Sequence, residues 1–417
     1  MRGVVMAAGF AGVLLTLGTT ARHFEQVAAA QGAGRQAPVY EVDPFWPKPL
    51  PNHWVIGSAI GVWADAQDNV WIIQRGSATL DDNEKALELK AGDCCAAAPP
   101  VLVFNKAGDL VRSWGGPGQG YDWPSSNHGI FVDHENHVWI GGNGAGDSHI
   151  LKFTVEGRFL AQYGKPDARK AAAGARDTTR QVAGYAATTG YVGGSTDREN
   201  FGRVAKIFVD PRRNEAFIAD GYLNRRVAVI DATTGAMKRM WGAYGRPPSD
   251  EQNGNYDPNA PPPQGFRNPV HCADISIDNL VYVCDRVNDR LQVFNPDGTF
   301  VKEVFLARNT KGSGSVWDVA FSRDPQQRYL FVADGMNDRV YILDRVSLDL
   351  LASFGDGGRQ PGQFYGVHSI ASDSRGNLYT TETWEGKRVQ KFVNKGVGPV
   401  TTVHRGTVWP ATATRPQ

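Results

Sequence analysis

Apolar and polar residues alternate in short runs along most of the chain, and the runs occur in groups of four. Each group consists of a strand, a short polar turn, a strand, a polar or acidic loop, a strand, a turn and a strand. A period of two is typical of half-buried strands, and the 3.6-residue period of helices is nowhere sustained. The pattern predicts six four-stranded sheets, at residues 57–124, 127–166, 201–247, 268–307, 313–364 and 366–396.

A four-stranded sheet cannot cover both of its own faces, but sheets stacked radially cover one another and leave few exposed edges. Hairpin turns such as Asp297-Gly298 fall where such sheets need them. The pattern therefore predicts an all-β, six-bladed β-propeller over residues 57–396. Residues 31–56 precede it and 397–417 form a C-terminal tail. The run from Val39 to Trp46 is expected to pair with the last blade and close the ring.

Three of the predicted third strands begin with a common phrase, made of an Asp, a tight polar loop, an Arg and an apolar residue. This phrase resembles the NHL-type propeller repeat. Its three copies are Asp220-Gly-Tyr-Leu-Asn-Arg-Arg226-Val227, Asp285-Arg-Val-Asn-Asp-Arg290-Leu291 and Asp334-Gly-Met-Asn-Asp-Arg339-Val340.

Composition suits one large all-β domain, because the 417 residues include 48 glycines, 24 prolines and 41% apolar residues. The net charge is +1, and no basic run is interleaved with aromatic residues, so nucleic acid is not an expected partner. A closed propeller presents no long free edge, so a monomer is expected.

The first 30 residues have the layout of a secretory signal peptide, with an apolar run from Gly3 to Leu17 and cleavage expected after Ala30. An uncleaved anchor is the alternative, but the run is shorter than the roughly 20 residues of a spanning helix. We expect a secreted or periplasmic protein without a membrane span in the mature chain.

Four cysteines remain in the exported product, where oxidation is permitted. Cys272 and Cys284 lie at mirrored ends of a predicted hairpin, and Cys94 and Cys95 are adjacent. For both pairs the sequence leaves a disulfide and two thiols equally open. Two stretches without alternation predict long loops, either lids over a site or variable surface loops. They are residues 167–200 and 248–267.

Three histidines open strand-like runs that align without a gap. They are His128, His271 and His368, on the innermost strands of the second, fourth and sixth sheets. Equivalent positions in a ring face one axis, so the three imidazoles are expected to converge on one metal ion with an open fourth position. Such a set is typical of catalytic zinc. The matching positions in the other sheets are Ile60, Ala205 and Trp317.

Three further residues lie at the ends of second strands, beside the starts of the inner strands. They are Arg75, Tyr222 and Arg286. A phenol near zinc and two guanidinium groups can have its pKa of about 10 lowered enough to act as a base. Guanidinium groups also bind carboxylates. Taken singly, each residue has an ordinary structural explanation, as an ion-pair partner or a core aromatic.

Together these six residues resemble the active-site segments of the peptidyl-α-hydroxyglycine α-amidating lyase (peptidylamidoglycolate lyase) family, the second catalytic part of peptide amidation enzymes. The resemblance runs over about residues 50–396, with its strongest matches at Asn127-His128-Gly, Asp220-Gly-Tyr222, Val270-His271, Asp285-Arg286 and Gly366-Val-His368. It implies zinc on the three histidines, Tyr222 as base, Arg75 assisting the phenolate, and Arg286 orienting the substrate carboxylate. The implied reaction cleaves a small-molecule or peptide substrate with a hydroxyglycine-like end into an amide and glyoxylate.

The chain departs from that family in two places. Leu223 follows Tyr222, so the family's disulfide beside this tyrosine has no counterpart. Ser369 follows His368, where the family has an acidic residue that helps to hold a structural calcium ion. This second departure weighs against the calcium that the resemblance implies. Two other function classes stay open: a propeller hydrolase of the gluconolactonase kind and a non-enzymatic NHL binding scaffold.

Overall fold

A computed structural model describes residues 34–170, 192–251 and 253–410 of the chain. The predicted signal peptide, the middle of the predicted loop 167–200 and the last residues of the predicted tail lie outside these described residues.

The described residues form six sheets of four antiparallel strands, each sheet ordered from the channel outwards. The innermost strands are β3 (Ala59–Ala64), β8 (Asn127–Val132), β12 (Val204–Asp210), β16 (Val270–Ile275), β20 (Asp318–Phe321) and β24 (Val367–Ser372). The second strands are β4 (Val70–Gln74), β9 (His137–Gly142), β13 (Glu215–Asp220), β17 (Val281–Asp285), β21 (Tyr329–Asp334) and β25 (Leu378–Glu382).

The outer half of each sheet completes the blade. The third strands are β6 (Val101–Phe104), β10 (His149–Thr154), β14 (Arg226–Asp231), β18 (Arg290–Phe294), β22 (Arg339–Asp344) and β26 (Arg388–Pro399). The outermost strands are β7 (Leu110–Trp114), β11 (Phe159–Gly164), β15 (Met237–Trp241), β19 (Phe300–Phe305), β23 (Leu350–Phe354) and, in the last blade, β1 (Gln36–Asp43).

The innermost strands form a closed ring, because each contacts the next in chain order and β24 contacts β3. The predicted all-β, six-bladed propeller is confirmed. The hydrophobic core lies between neighbouring blades. In one interface, for example, Ile60 and Trp71 of the first blade pack with Ile130 and Val138 of the second.

A recurrent turn stabilises the first hairpin of several blades. An Asp after the inner strand accepts a hydrogen bond from an aromatic side chain on the second strand. Trp71 donates to Asp65 at 2.8 Å, and Trp139 donates to Asp133 at 2.8 Å. The same carboxylates accept turn N–H groups, which explains why these short polar turns recur in the sequence.

The last blade takes its outermost strand from the N-terminal side of the chain. Strand β1 pairs antiparallel with β26, with Val42 opposite Phe392. The ring is thus closed by strands from both ends of the propeller, and β26 runs three residues past the expected end of the blade. Tyr40 of β1 is buried, and its ring lies 5.7 Å from Phe331 and 5.5 Å from Phe354.

Both cysteine pairs are disulfides. Cys272 and Cys284 lie opposite each other on β16 and β17 and are bonded, as are Cys94 and Cys95. The second pair belongs to an insertion between β4 and β6 that the sequence did not predict. It contains two 3-10 helices and a two-residue strand that pairs in parallel with another two-residue strand ahead of β3. The elements outside the blades are β2 (Trp54–Val55), β5 (Ala96–Ala97) and 3-10 helices at Gly76–Thr79, Asp82–Glu84, Ala243–Gly245 and Arg286–Asn288.

Within the described ranges, no helix has the length and apolar character needed to cross a membrane. The described part of the 248–267 loop contains no strand.

Substitution of Tyr40 tests how much the ring-closing strand stabilises the fold. We expect Tyr40→Ala to lower the free energy of unfolding by about 3 kcal/mol, because it empties a buried aromatic site between β1 and the fifth blade. Denaturant unfolding followed by tryptophan fluorescence measures this. Glu41→Ala, on the same strand at a partly exposed position, is the matched control. Equal effects of the two substitutions would show that the strand does not depend on this packing.

Candidate metal centre on the propeller axis

Three histidines meet at the centre of the ring. His128, His271 and His368 are the second residues of β8, β16 and β24, so they come from alternate blades. Their ring centroids are 4.8 to 5.2 Å apart, and one ring nitrogen of each lies within 4.8 Å of the others. All three residues are buried. The positions that recur in the sequence are therefore one cluster in space.

Each imidazole is held by a backbone carbonyl of the next blade in the ring. The Nδ1–O pairs are His128 with Ala205 at 2.6 Å, His368 with Ile60 at 2.8 Å, and His271 with Trp317. A carbonyl oxygen can only accept, so Nδ1 carries the proton and donates it. This bond leaves Nε2 as the ring nitrogen with an available lone pair, which is the usual arrangement of a metal-binding histidine.

The three rings are neutral at neutral pH. Burial is the main cause that holds the pKa of His128 well below its usual value, and the charge of Arg75 adds to it. Burial also lowers the pKa of His271, followed by the charge of Arg286. Burial again comes first for His368. Neutral imidazole is the form that binds metal ions.

The phenol oxygen of Tyr222 lies between two of these rings. It is 2.9 Å from Nε2 of His128 and 2.9 Å from Nε2 of His271. Nη1 of Arg286 donates to the same oxygen at 3.4 Å. The phenol has a single proton, so it can donate to only one of the two Nε2 atoms. The Nε2 atoms and the phenol oxygen thus have more lone pairs than there are protons between them. A bound cation would accept the remaining lone pairs.

Two buried ion pairs shape the short loops that carry the tyrosine and the second arginine. Around the tyrosine, Arg226 donates to its cross-strand neighbour Asp220 at 2.8 Å. In the next blade, Arg290 donates to Asp285 at 2.6 Å. All four residues are fully buried. In these two copies of the repeated phrase, the Asp and Arg are therefore structural, and they fix the loop between them.

Arg286 directly follows β17 and is fully buried. Its guanidinium carbon lies 4.4 Å from the ring centroid of Trp317 and 5.7 Å from that of Tyr222. Cation–π contact with Trp317 keeps this charge in place beside the phenol. The same Trp317 supplies the carbonyl that holds His271.

Arg75 directly follows β4 and is partly buried. Its Nη2 donates to the side-chain oxygen of Asn143 at 2.8 Å, and its Nε donates to the carbonyl of Asn127 at 3.4 Å. The charge of Arg75 also lowers the pKa of His128 and His368. All six residues singled out from the sequence thus lie at the same end of the channel.

Asn143 and Trp317 are parts of the site to which the sequence reasoning gave no role. Asn143 directly follows β9, just as Arg75 follows β4 and Arg286 follows β17. The repeat alignment that identified the two arginines therefore contained the signal for Asn143. Trp317 was singled out only as the counterpart of the histidines in the fifth blade, where no pattern indicated its contact with Arg286.

Two other groups of potential ligands occur among the described residues. One is Asp133, Glu135 and His137, at the first turn of the second blade. The other is Cys272, Asp274 and Asp318, in which the cysteine sulfur is bonded to Cys284. The histidine cluster differs from both, because all of its members are neutral, buried imidazoles.

No family model matches the chain. Peptidyl-glycine alpha-amidating monooxygenases A and B of Xenopus laevis are 24% and 25% identical to it over 268 and 269 residues. Each match covers 63% of this chain, but only 24% and 26% of the relative. The match thus spans about a quarter of the length of these relatives. The similarity relates the propeller to proteins of peptide amidation.

Solved structures with a similar fold are more distant in sequence. A catalytically inactive virginiamycin B lyase from Staphylococcus aureus, solved with quinupristin, is 14% identical, with a TM-score of 0.45 and coverage of 86% of this chain and 87% of that one. A protein of unknown function from Bacteroides thetaiotaomicron is 12% identical, with a TM-score of 0.49 and coverage of 87% and 77%.

Removal of one imidazole tests the cluster as a metal centre. We expect the purified protein to contain about one divalent metal ion per chain and His271→Ala to lose it, because two imidazoles bind far more weakly than three. Elemental analysis by mass spectrometry measures this. The control is His149→Ala, which removes a buried histidine that contacts the carbonyl of Asp122 away from the axis. Equal metal content in the two variants would contradict a centre at this position.

Proposed function

We propose that the chain is an exported zinc lyase that cleaves carbinolamides of the N-(α-hydroxy)glycine type into an amide and glyoxylate. The observation that carries the proposal is the Tyr222 oxygen at 2.9 Å from two of three converging imidazoles, with the Arg286 guanidinium beside it. A base, a cation-binding set and an anion-binding group thus lie close together. The similarity to the amidating monooxygenases of Xenopus laevis supports peptide amidation as the chemical context.

Zinc is the metal that this donor set fits best. His128, His271 and His368 would hold it, since three neutral nitrogen ligands with a further position open are typical of catalytic zinc. The carbonyl bonds at Nδ1 already fix the orientation and tautomer that such ligands need. When bound, zinc supplies Lewis acidity, which makes a nearby hydroxyl group easier to deprotonate.

Tyr222 is the proposed base. Its phenolate oxygen takes the proton of the substrate's α-hydroxyl group. The electron pair of that hydroxyl oxygen then forms the carbonyl of glyoxylate while the carbon–nitrogen bond breaks. The bonding pair leaves with the amide nitrogen, which takes the proton back from Tyr222. The atoms and the charge balance without an oxidant or a water molecule.

The two arginines have separate proposed roles. Arg286 orients the substrate carboxylate, since a guanidinium can donate two parallel hydrogen bonds to it. Its bond to the Tyr222 hydroxyl adds a second role, because a donor at this oxygen stabilises the phenolate. Arg75 contributes positive charge on the His128 side, where it favours the phenolate at longer range. Asn143 holds Arg75 in that position.

Export accounts for the two disulfides. Disulfides persist in oxidising compartments and are rare in the cytosol. The bonds Cys94–Cys95 and Cys272–Cys284 therefore support the secreted or periplasmic location expected from the first 30 residues.

Glyoxylate release tests the reaction directly. We expect the purified protein to release glyoxylate from α-hydroxyhippurate in proportion to its zinc content, because the hydroxyl group and the carboxylate of this substrate match the proposed site. The measurement is glyoxylate and bound zinc on the same sample. Hydrolysis of gluconolactone with no glyoxylate from any carbinolamide would favour a propeller hydrolase instead. A protein that acts on neither substrate, with or without added zinc, would favour a binding scaffold.

Tyr222→Phe separates the base from the metal centre. We expect kcat for glyoxylate release to fall by about 100-fold or more, since general base catalysis contributes at least that much. The zinc content should stay unchanged, because the three imidazoles are intact. Tyr282→Phe is the control, since it removes the hydroxyl of a fully buried tyrosine that donates to the carbonyl of Arg345, away from the site. Glyoxylate release by Tyr222→Phe near the wild-type rate would exclude Tyr222 as the base.

A further inference from the structure

A buried lysine lies beside the histidine cluster in the channel. Lys206 of β12 follows Ala205, whose carbonyl holds His128. It is 6% exposed. A small cavity is lined by the three histidines together with Lys206, Asp318 and Ser369, so the ammonium group and the imidazoles belong to adjoining layers of one channel.

Two aspartates hold this ammonium group. Nζ of Lys206 lies 2.6 Å from Oδ1 of Asp318 and 3.1 Å from Oδ2 of Asp274. Both aspartates are buried, at 2% and 3% exposure. Burial lowers the pKa of Lys206, but the charges of Asp274 and Asp318 outweigh it, and the net shift is upward. The contacts with two carboxylates and this upward shift of the pKa both favour the charged form of the lysine.

The cluster of Lys206, Asp274 and Asp318 also contacts Ser369, where the chain departs from the lyase family that it resembles. The hydroxyl of Ser369 donates to Oδ2 of Asp318 at 2.6 Å, and the backbone N–H of Ile370 donates to it at 3.1 Å. Ser369 follows His368, at the position where the resemblance expects an acidic residue near calcium. In this chain that position faces an aspartate already bound to an ammonium group.

Calcium does not fit this cluster. It requires six to eight oxygen ligands, and here both buried carboxylates are committed to Lys206. A divalent ion would have to displace the ammonium group, which would then be buried without a counter-charge, an unfavourable state. We propose that Lys206 is the built-in cation of this channel, so that the chain uses a side-chain ammonium group where the resemblance implies a structural calcium ion.

This cation also links the strands that orient the histidines. Lys206 neighbours Ala205, and Asp318 neighbours Trp317, so the ion pair ties together the two carbonyls that hold His128 and His271.

Calcium dependence of the wild-type protein is the first test. Zinc-saturated protein, dialysed into calcium-free buffer, should contain no calcium by elemental analysis, and added calcium chloride should leave its Tm unchanged. Bound calcium, or a Tm that rises with calcium, would overturn the proposal without any variant being needed.

Lys206→Ala is the second test. The substitution leaves two facing carboxylates, so we expect Tm to fall by roughly 5 °C in calcium-free buffer and to rise again when calcium is added. The matched control is Lys152→Ala, another buried lysine, whose ammonium group donates to the carbonyl of Ala232 away from the axis. This control should lose stability without any response to calcium. A Lys206→Ala protein as stable as the wild type would contradict the assigned role.

Discussion

The candidate site depends on three hydrogen bonds that pass from one blade to the next. Each imidazole donates from Nδ1 to a carbonyl on the innermost strand of the following blade or, for His271, directly before that strand: the second blade uses the third, the fourth uses the fifth, and the sixth uses the first. Each bond fixes a ring's orientation and its tautomer at once. The bond from His368 to Ile60 spans the closure of the ring. The geometry of the site therefore depends on closure of the propeller ring.

Charge is distributed along the channel in layers. In the layer of the three histidines, the Tyr222 oxygen contacts two imidazoles and the Arg286 guanidinium, and most of the polar groups are neutral ring nitrogens. In the adjoining layer, Lys206 neutralises part of the charge of two aspartates. Innermost strands supply the three histidines, Lys206 and both aspartates, whereas Tyr222 and Arg286 follow second strands. A propeller can in this way hold buried polar groups at its centre because neighbouring blades supply partners for many of them.

Much of the fold and site followed from the sequence because both are repetitive. Period-two alternation and the Asp–Arg phrase gave six blades, and equivalent positions in alternate blades gave His128, His271 and His368. The same alignment places Asn143 at a position equivalent to Arg75. Its hydrogen bond to Arg75 could be seen only in the structure. The role of Lys206 could not be predicted, because it depends on contacts with Asp274 and Asp318, which lie in other blades. The pairing of Cys272 with Cys284 depended on strand register, and the insertion after Arg75 has no repeat to reveal it.

A crystal structure with anomalous data collected at the zinc absorption edge tests the metal centre directly. We expect a single anomalous peak on the propeller axis, at about 2.0–2.1 Å from Nε2 of His128, His271 and His368. In such a structure the Tyr222 oxygen would lie beside the peak. The absence of a peak from zinc-saturated crystals, with Tyr222 still hydrogen-bonded to His128 and His271, would contradict the metal centre.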